Sequence, residues 1–180
     1  MVRPILRFPA PVLLRPTAPV GAVDTRTRAL LNDLVDTMKA APGVGLAAPQ
    51  IGVGQRVCVA DWGEGVTAFV NPRIMSRSGS ATGTEGCLSL PGIECQIVRS
   101  MAIAVDALDR NGQPFHLDLN GFSARVVQHE IDHLDGVLIL DRAAGDRFTR
   151  YLGDDADGEP ISEPLDRAGV EALFTAAAAR

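Results

Sequence analysis

Five consecutive residues, His129-Glu130-Ile131-Asp132-His133, restrict this chain more than any other segment. Histidines at i and i+4 share one face on an α-helix, with Cβ atoms about 5–6 Å apart. Two imidazoles placed there can reach one metal ion. Glu130 follows the first of them and can lean over the same site, where it can take a proton from bound water. The bland alternative is a solvated helix with two incidental histidines. The chain has only three histidines, and two fall in this motif, which weighs against coincidence. A catalytic centre also needs a third protein ligand and one open position, so the fold must bring another donor to this helix.

The candidates for that donor are Cys87, Cys58, Cys95, His116 and the acidic residues. Cys58 lies in the apolar run Val57–Ala60 and reads as packed core. Cys95 sits in a strand-like stretch and reads the same way. His116 alternates within a polar stretch and reads as surface. Cys87 follows Gly86 and precedes Leu88-Ser89-Leu90-Pro91-Gly92, a segment without periodicity that looks like a shaped strand end. Taken alone, a cysteine there is a small buried residue more often than a ligand. The three cysteines are an odd count without a secretory signal. That argues against a disulfide framework and for a reducing, cytoplasmic setting.

Hydrophobic periodicity places the motif within a larger frame. Asp24 is a suitable cap for a helix over 25–40, whose apolar stripe is Leu30, Leu31, Leu34, Val35 and Met38. Pro42 and Gly43 end it. The glycine-bearing stretch 43–52 suits a loop or irregular strand. Residues 56–61, 67–71, 93–98, 101–109 and 113–119 read as strands, with 79–83 as a turn-rich connector. Asn111-Gly112 is a strong hairpin signal, since both residues tolerate positive φ. A helix over 121–134 follows, with Gly136 placed to stop it. The predicted class is α+β, mostly antiparallel sheets packed around a central helix that carries the His-Glu motif. The catalytic domain is expected over 1–150. The remainder, 151–180, reads as an acidic extension: a linker over 154–164, broken by glycine and proline, then a short Ala-rich helix from Gly169.

Charge and hydropathy narrow the partners. The formal net charge is −5, from 17 basic and 22 acidic residues, which opposes DNA or RNA as the main ligand. No apolar run approaches the ~20 residues of a membrane helix, so no membrane association is expected. The start is Arg-rich and acid-poor, as transit peptides are, but Pro4, Pro9, Pro11, Pro16 and Pro19 break any amphipathic helix there.

Three segments together carry a resemblance: Gly43-Val44-Gly45-Leu46-Ala47-Ala48-Pro49-Gln50, Glu85-Gly86-Cys87-Leu88-Ser89 and Gln128-His129-Glu130-Ile131-Asp132-His133. In order and separation they resemble the signature motifs of bacterial peptide deformylases. Ile5-Leu6-Arg7-Phe8-Pro9 and the hairpin Leu108-Asp109-Arg110-Asn111-Gly112 are similar too, so the likeness covers roughly 3–142. The start then looks like the family's mature N-terminus.

The resemblance implies removal of the formyl group from nascent formyl-methionyl polypeptides. It implies Cys87, His129 and His133 as ligands to one divalent metal ion. Iron(II) is the implied ion in the cell, with zinc, nickel or cobalt as substitutes. Glu130 becomes the general base and then the acid that protonates the departing amine. Gln50 and the Leu88 N–H would stabilise the oxyanion, and Gly45 would hydrogen-bond the substrate backbone.

Val44, Leu88, Phe122 and Val126 are candidates for an apolar methionine pocket, each with plain core packing as its alternative. Arg125 either touches the peptide beyond methionine or is merely solvated. Glu85 and Asp132 are candidates to orient ligands, and Glu85 alternatively pairs with Arg99. Many relatives end in a basic helix that can dock on the ribosome. Here the tail carries Asp154, Asp155, Asp157, Glu159, Glu163, Asp166 and Glu171 against Arg167 and Arg180, which opposes RNA. A transient ribosome association would have to use another surface. Two competing readings share parts of the pattern: a zinc endopeptidase, and a non-catalytic deformylase-like protein that captures peptides.

Overall fold

The computed structural model describes residues 1–155 and 157–178 of the 180-residue chain. In chain order the elements are α1 (Thr25–Ala40), β1 (Gly45–Ala47), β2 (Val57–Ala60), β3 (Thr67–Ser78), β4 (Ala81–Cys87), β5 (Leu90–Arg99), β6 (Ala102–Leu108) and β7 (Pro114–Asn120). They continue with α2 (Gly121–Leu134), α3 (Ile139–Arg142), β8 (Ala143–Asp154), β9 (Pro160–Leu165) and α4 (Arg167–Ala178). Two antiparallel sheets result, ordered β1-β2-β3-β6-β7 and β4-β5-β8-β9. The α+β class with antiparallel pairing is as the sequence predicts.

The helices form where capping and periodicity favour them. The Asp24 side chain accepts a hydrogen bond from the Thr27 N–H at 2.9 Å, satisfying a free donor of the first turn of α1. α1 packs Leu31, Leu34 and Met38 against Leu46, Val57, Val59 and Val70. α2 lays Ala124, Val127, Ile131 and Leu134 against Cys58, Ala60, Phe69 and Val105. Successive residues of β2 thus feed opposite layers, Val57 and Val59 towards α1, Cys58 and Ala60 towards α2. Burial on both faces is why Val57–Ala60 reads as an unbroken apolar run. Across the second sheet, Leu90, Ile93, Cys95 and Ile97 alternate into a separate core with Leu13, Leu138, Phe148 and Val170.

Two local readings need correction, and a third, the hairpin at Asn111-Gly112, holds with a different turn. Residues 81–83 are not a connector but the first part of β4, paired with Arg99, Val98 and Ile97. In the β6–β7 hairpin only Gly112 takes positive φ, +81°. The turn is held instead by Asp109 Oδ1, which accepts from the N–H groups of Asn111 and Gln113, each at 2.8 Å.

The linker reading of 154–164 fails as well. β8 and β9 form a hairpin that continues the second sheet beside β5. β8 runs straight through residue 150, and α4 returns to bury Val170 completely. Truncation after Asp154 is therefore expected to destabilise the protein. Loss of Val170 and of the Leu165 and Phe174 packing should cost at least about 2 kcal/mol, read as a lowered denaturation midpoint. Unchanged stability would show that the tail contributes nothing to this core.

Candidate metal centre

The fold brings three donors together. His129 and His133 lie one turn apart on α2, with ring centroids 5.0 Å apart. β4 ends at Cys87, and a two-residue turn, Leu88-Ser89, leads into β5. Cys87 Sγ lies 3.3 Å from His133 Nε2. One ligand atom from each of Cys87, His129 and His133 falls within 4.8 Å of the others. A thiol and two imidazoles at this spacing fit a catalytic metal centre with one position left open. Burial disfavours the charged form of Cys87, but His133 and His129 outweigh it and bring the thiol down to about 5. A thiolate is the form that binds metal. Burial opposes charge on His129 too, yet Cys87 and Glu85 hold its pKa well above the usual value, so metal uptake should release protons.

Glu85 sits two residues before Cys87 on the same strand, hence on the same side of it. It accepts from His129 Nδ1 at 3.0 Å, from Arg99 Nε and Nη2 at 2.9 Å each, and from Arg125 Nη1 at 2.6 Å. With Nδ1–H committed to Glu85, the Nε2 lone pair of His129 is left for a metal. Burial would raise the Glu85 pKa, but the Arg99 and His129 hydrogen bonds win and hold it well below the carboxylate range. Glu85 therefore both pairs with Arg99 and orients a histidine. Asp132 has no side-chain hydrogen bond to a proposed ligand among the described residues. It binds Arg99 and, at 2.7 Å, Arg142, and so braces the arginine that braces Glu85.

Glu130 is 4% exposed, and its Oε2 has no hydrogen-bond partner among the described residues. Burial pushes its pKa up to about 7, against the pull of His129 and His133. A buried carboxylate without a partner, beside the three donors, is suited to exchange protons near neutral pH. Its room comes from Gly45: a Cβ built there would lie 2.7 Å from Glu130 Cδ. Gly45→Ala should displace Glu130 and cut kcat by tenfold or more, up to about 10²-fold. The check is kcat beside thermal stability; intact kcat in a folded variant would show that Gly45 is not holding this space.

Gln50 lies in a 3₁₀ turn, Ala48–Ile51. Its Oε1 accepts from the Ala47 N–H at 2.9 Å, and its Nε2 donates to Ser89 Oγ at 3.2 Å while lying 3.9 Å from Cys87 Sγ. A cleft of about 500 Å³ joins these groups, lined by Val44, Gly45, Gln50, Cys87, Leu88, Phe122, Arg125, Val126, His129 and Glu130 among others. Val126 is buried, while Val44 and Phe122 are exposed. Arg125 lines the cleft, but its guanidinium is neither free nor merely solvated: it binds Glu85 and the Ala81 and Ile97 carbonyls.

Cys58 and Cys95 stay outside, fully or nearly buried, and Cys95 Sγ donates to the Ile139 carbonyl at 3.7 Å. His116 is on the surface beside Asp106 and Asp118. Sequence reasoning misses Ser89 and Arg142, which act through contacts 39 and 10 residues away. Ser89 is fully buried beside a proposed ligand. Its place inside the Cys87 motif is the one signal that could have flagged it.

The sequence profile of the polypeptide deformylase family matches residues 2–148. The chain belongs to the polypeptide deformylase family. Peptide deformylase of Symbiobacterium thermophilum is 41% identical over 170 residues, 93% of this chain and 78% of that protein. Peptide deformylase 1 of Bacillus subtilis is 46% identical over 78% of this chain and 89% of its own length. Among solved deformylases, that of Thermotoga maritima superposes with a TM-score of 0.79 at 41% identity, covering 80% of this chain and 99% of its own. The Thermus thermophilus deformylase gives 0.76 at 39% identity and covers 99% of this chain and 94% of its own. The β8–β9 hairpin and α4 thus have a counterpart in a family member, although the profile stops at residue 148.

Proposed function

We propose that this chain hydrolyses the formamide of N-formyl-methionine on newly made polypeptides, releasing formate and a free amine. The observation that supports this best is the meeting of all three motif segments on one cleft, with the unpartnered Glu130 carboxylate among them. Two edge strands face the cleft, β1 of the first sheet and β4 of the second. An extended peptide can lie between them by main-chain hydrogen bonding, with Gly45 as one partner. Val44, Leu88, Phe122 and Val126 are proposed to receive the methionine side chain. Arg125 is proposed to shape the cleft wall through Glu85.

Cys87, His129 and His133 would hold one divalent ion, iron(II) in the cell, with zinc, nickel and cobalt suited to the same donors. Such an ion, when bound, supplies Lewis acidity and makes water an adequate nucleophile near neutral pH. Glu130 takes a proton from the attacking water. It then delivers that proton to the nitrogen as the C–N bond breaks, which leaves formate and the amine. Gln50 Nε2 and the Leu88 N–H donate to the developing oxyanion, each worth about 3–4 kcal/mol by comparison with other oxyanion holes. Ser89 fixes the Gln50 amide for this task.

Residues 1–150 are proposed as the catalytic portion, with 151–180 as an acidic extension in which the end of β8, β9 and α4 buttress the second sheet. Within the tail, Arg167 is bound to Glu171 and Asp141, so its charge is already answered. Any ribosome contact is transient and uses another surface. With nascent chains as the substrate, the work would be done in the cytoplasm. The test is competition between a formyl-methionyl peptide and a blocked internal peptide. Deformylation should dominate; cleavage of the internal peptide would favour an endopeptidase, and binding without turnover a capture protein.

A further inference from the structure

Glu94 is an exposed carboxylate that lines the catalytic cleft and has neither an ion pair nor a side-chain hydrogen bond among the described residues. The other charges along that wall are committed. Arg125 is bound to Glu85, Glu85 is shared with Arg99 and His129, and Glu130 lies deep beside the ligand cluster. The outer part of the cleft therefore carries one unanswered negative charge.

The strand register says what that charge can meet. Glu94 on β5 pairs directly with Gly86 on β4, and β4 is the edge of its sheet. A peptide laid along that edge puts one residue beside Gly86. Strands sit about 4.8 Å apart, so the Cα of that residue lies about 9–10 Å from that of Glu94. No side chain stands between them. A Cβ built on Gly86 would be 3.7 Å from Glu94 Cγ, so the glutamate already leans over the bare position. A lysine or arginine leaning the other way spans the gap, and a short side chain does not.

We propose that Glu94 is a specificity-determining residue that selects a long cationic side chain, lysine or arginine, downstream of the formylated residue, reading it across Gly86. This rests on the deformylase reading above. The probes are formyl-Met-X-Ser and formyl-Met-Ala-X, with X as Lys, Gln, Glu or 2,3-diaminopropionic acid, assayed by formate release from the metal-loaded enzyme. At one of the two positions kcat/KM should rank Lys over Gln over Glu, by about two- to fivefold per step, the range of an exposed ion pair. The difference should reside mainly in KM and shrink at 0.5 M salt, because exposed charges are screened. Diaminopropionic acid, assayed at a pH low enough to keep its amine protonated, carries the charge on a short stem and should lose the advantage. Glu94→Gln should flatten the ranking and Glu94→Lys should invert it. Brisk turnover with no charge ranking at either position overturns the inference and leaves the deformylase reading standing. So does a ranking that persists in Glu94→Gln. Failure to release formate from every peptide overturns both.

Discussion

Glu130→Gln is expected to slow single-turnover deformylation by about 10²–10⁴-fold, the usual contribution of a positioned acid–base group. The substitution keeps the volume that Gly45 leaves open and removes the carboxylate. Metal and peptide should still bind, since Glu130 is not among the three grouped donors. Raising the pH should recover only part of the rate, because the departing amine also loses its proton donor. Glu130→Asp should fall between the two, with its carboxylate one methylene short. Near-normal turnover by a fully metallated Glu130→Gln protein would refute the assignment.

Cys87→Ala should be more severe, emptying the site and abolishing turnover. It removes the only sulfur among the three grouped donors and leaves two imidazoles, one fewer protein ligand than a catalytic centre uses. The decisive control is Cys95→Ser. That residue is packed with Ile93, Ile97 and Phe148, and its thiol is pushed up to about 11, chiefly by burial. It should lose stability and keep its metal. Elemental analysis of both variants settles the matter: a metal-free Cys95→Ser beside a metallated Cys87→Ala would reverse the ligand assignment.

What the sequence discloses about this molecule follows from the range of each interaction. α1 is legible from Asp24 and the stripe Leu31, Leu34, Met38, because cap and periodicity are local. The pairing of His129 with His133 is equally local. The convergence of Cys87 on them is not: it depends on β4 running to the helix, 46 residues away from His133 in sequence. Family resemblance supplies that convergence, whereas composition leaves Cys87 no different from any small buried residue.

The linker misreading comes from the use of polarity as a sign of irregular structure. β8 and β9 are mostly exposed, and along β8 only Phe148 is buried, so the hairpin lacks the apolar alternation that marks a strand. Residues 81–83 lie in a stretch bounded by Gly79 and Gly83 that reads as turns, yet β4 is built there on hydrogen bonds to β5. The sequence offers the pairing of Glu85 with Arg99 only as an alternative, and the bracing of Arg99 by Asp132 not at all, for a different reason. A buried arginine needs partners on two other elements, and no sequence spacing encodes which acids they are.

The most direct test of the central claim is release of formate from formyl-Met-Ala-Ser by the purified protein, measured before and after chelation and again after adding back a divalent metal. Stoichiometric formate, loss of activity on chelation and recovery on metal addition are the predicted results. Undiminished formate release by protein shown to be metal-free, or no release by protein carrying one ion per chain, would contradict it.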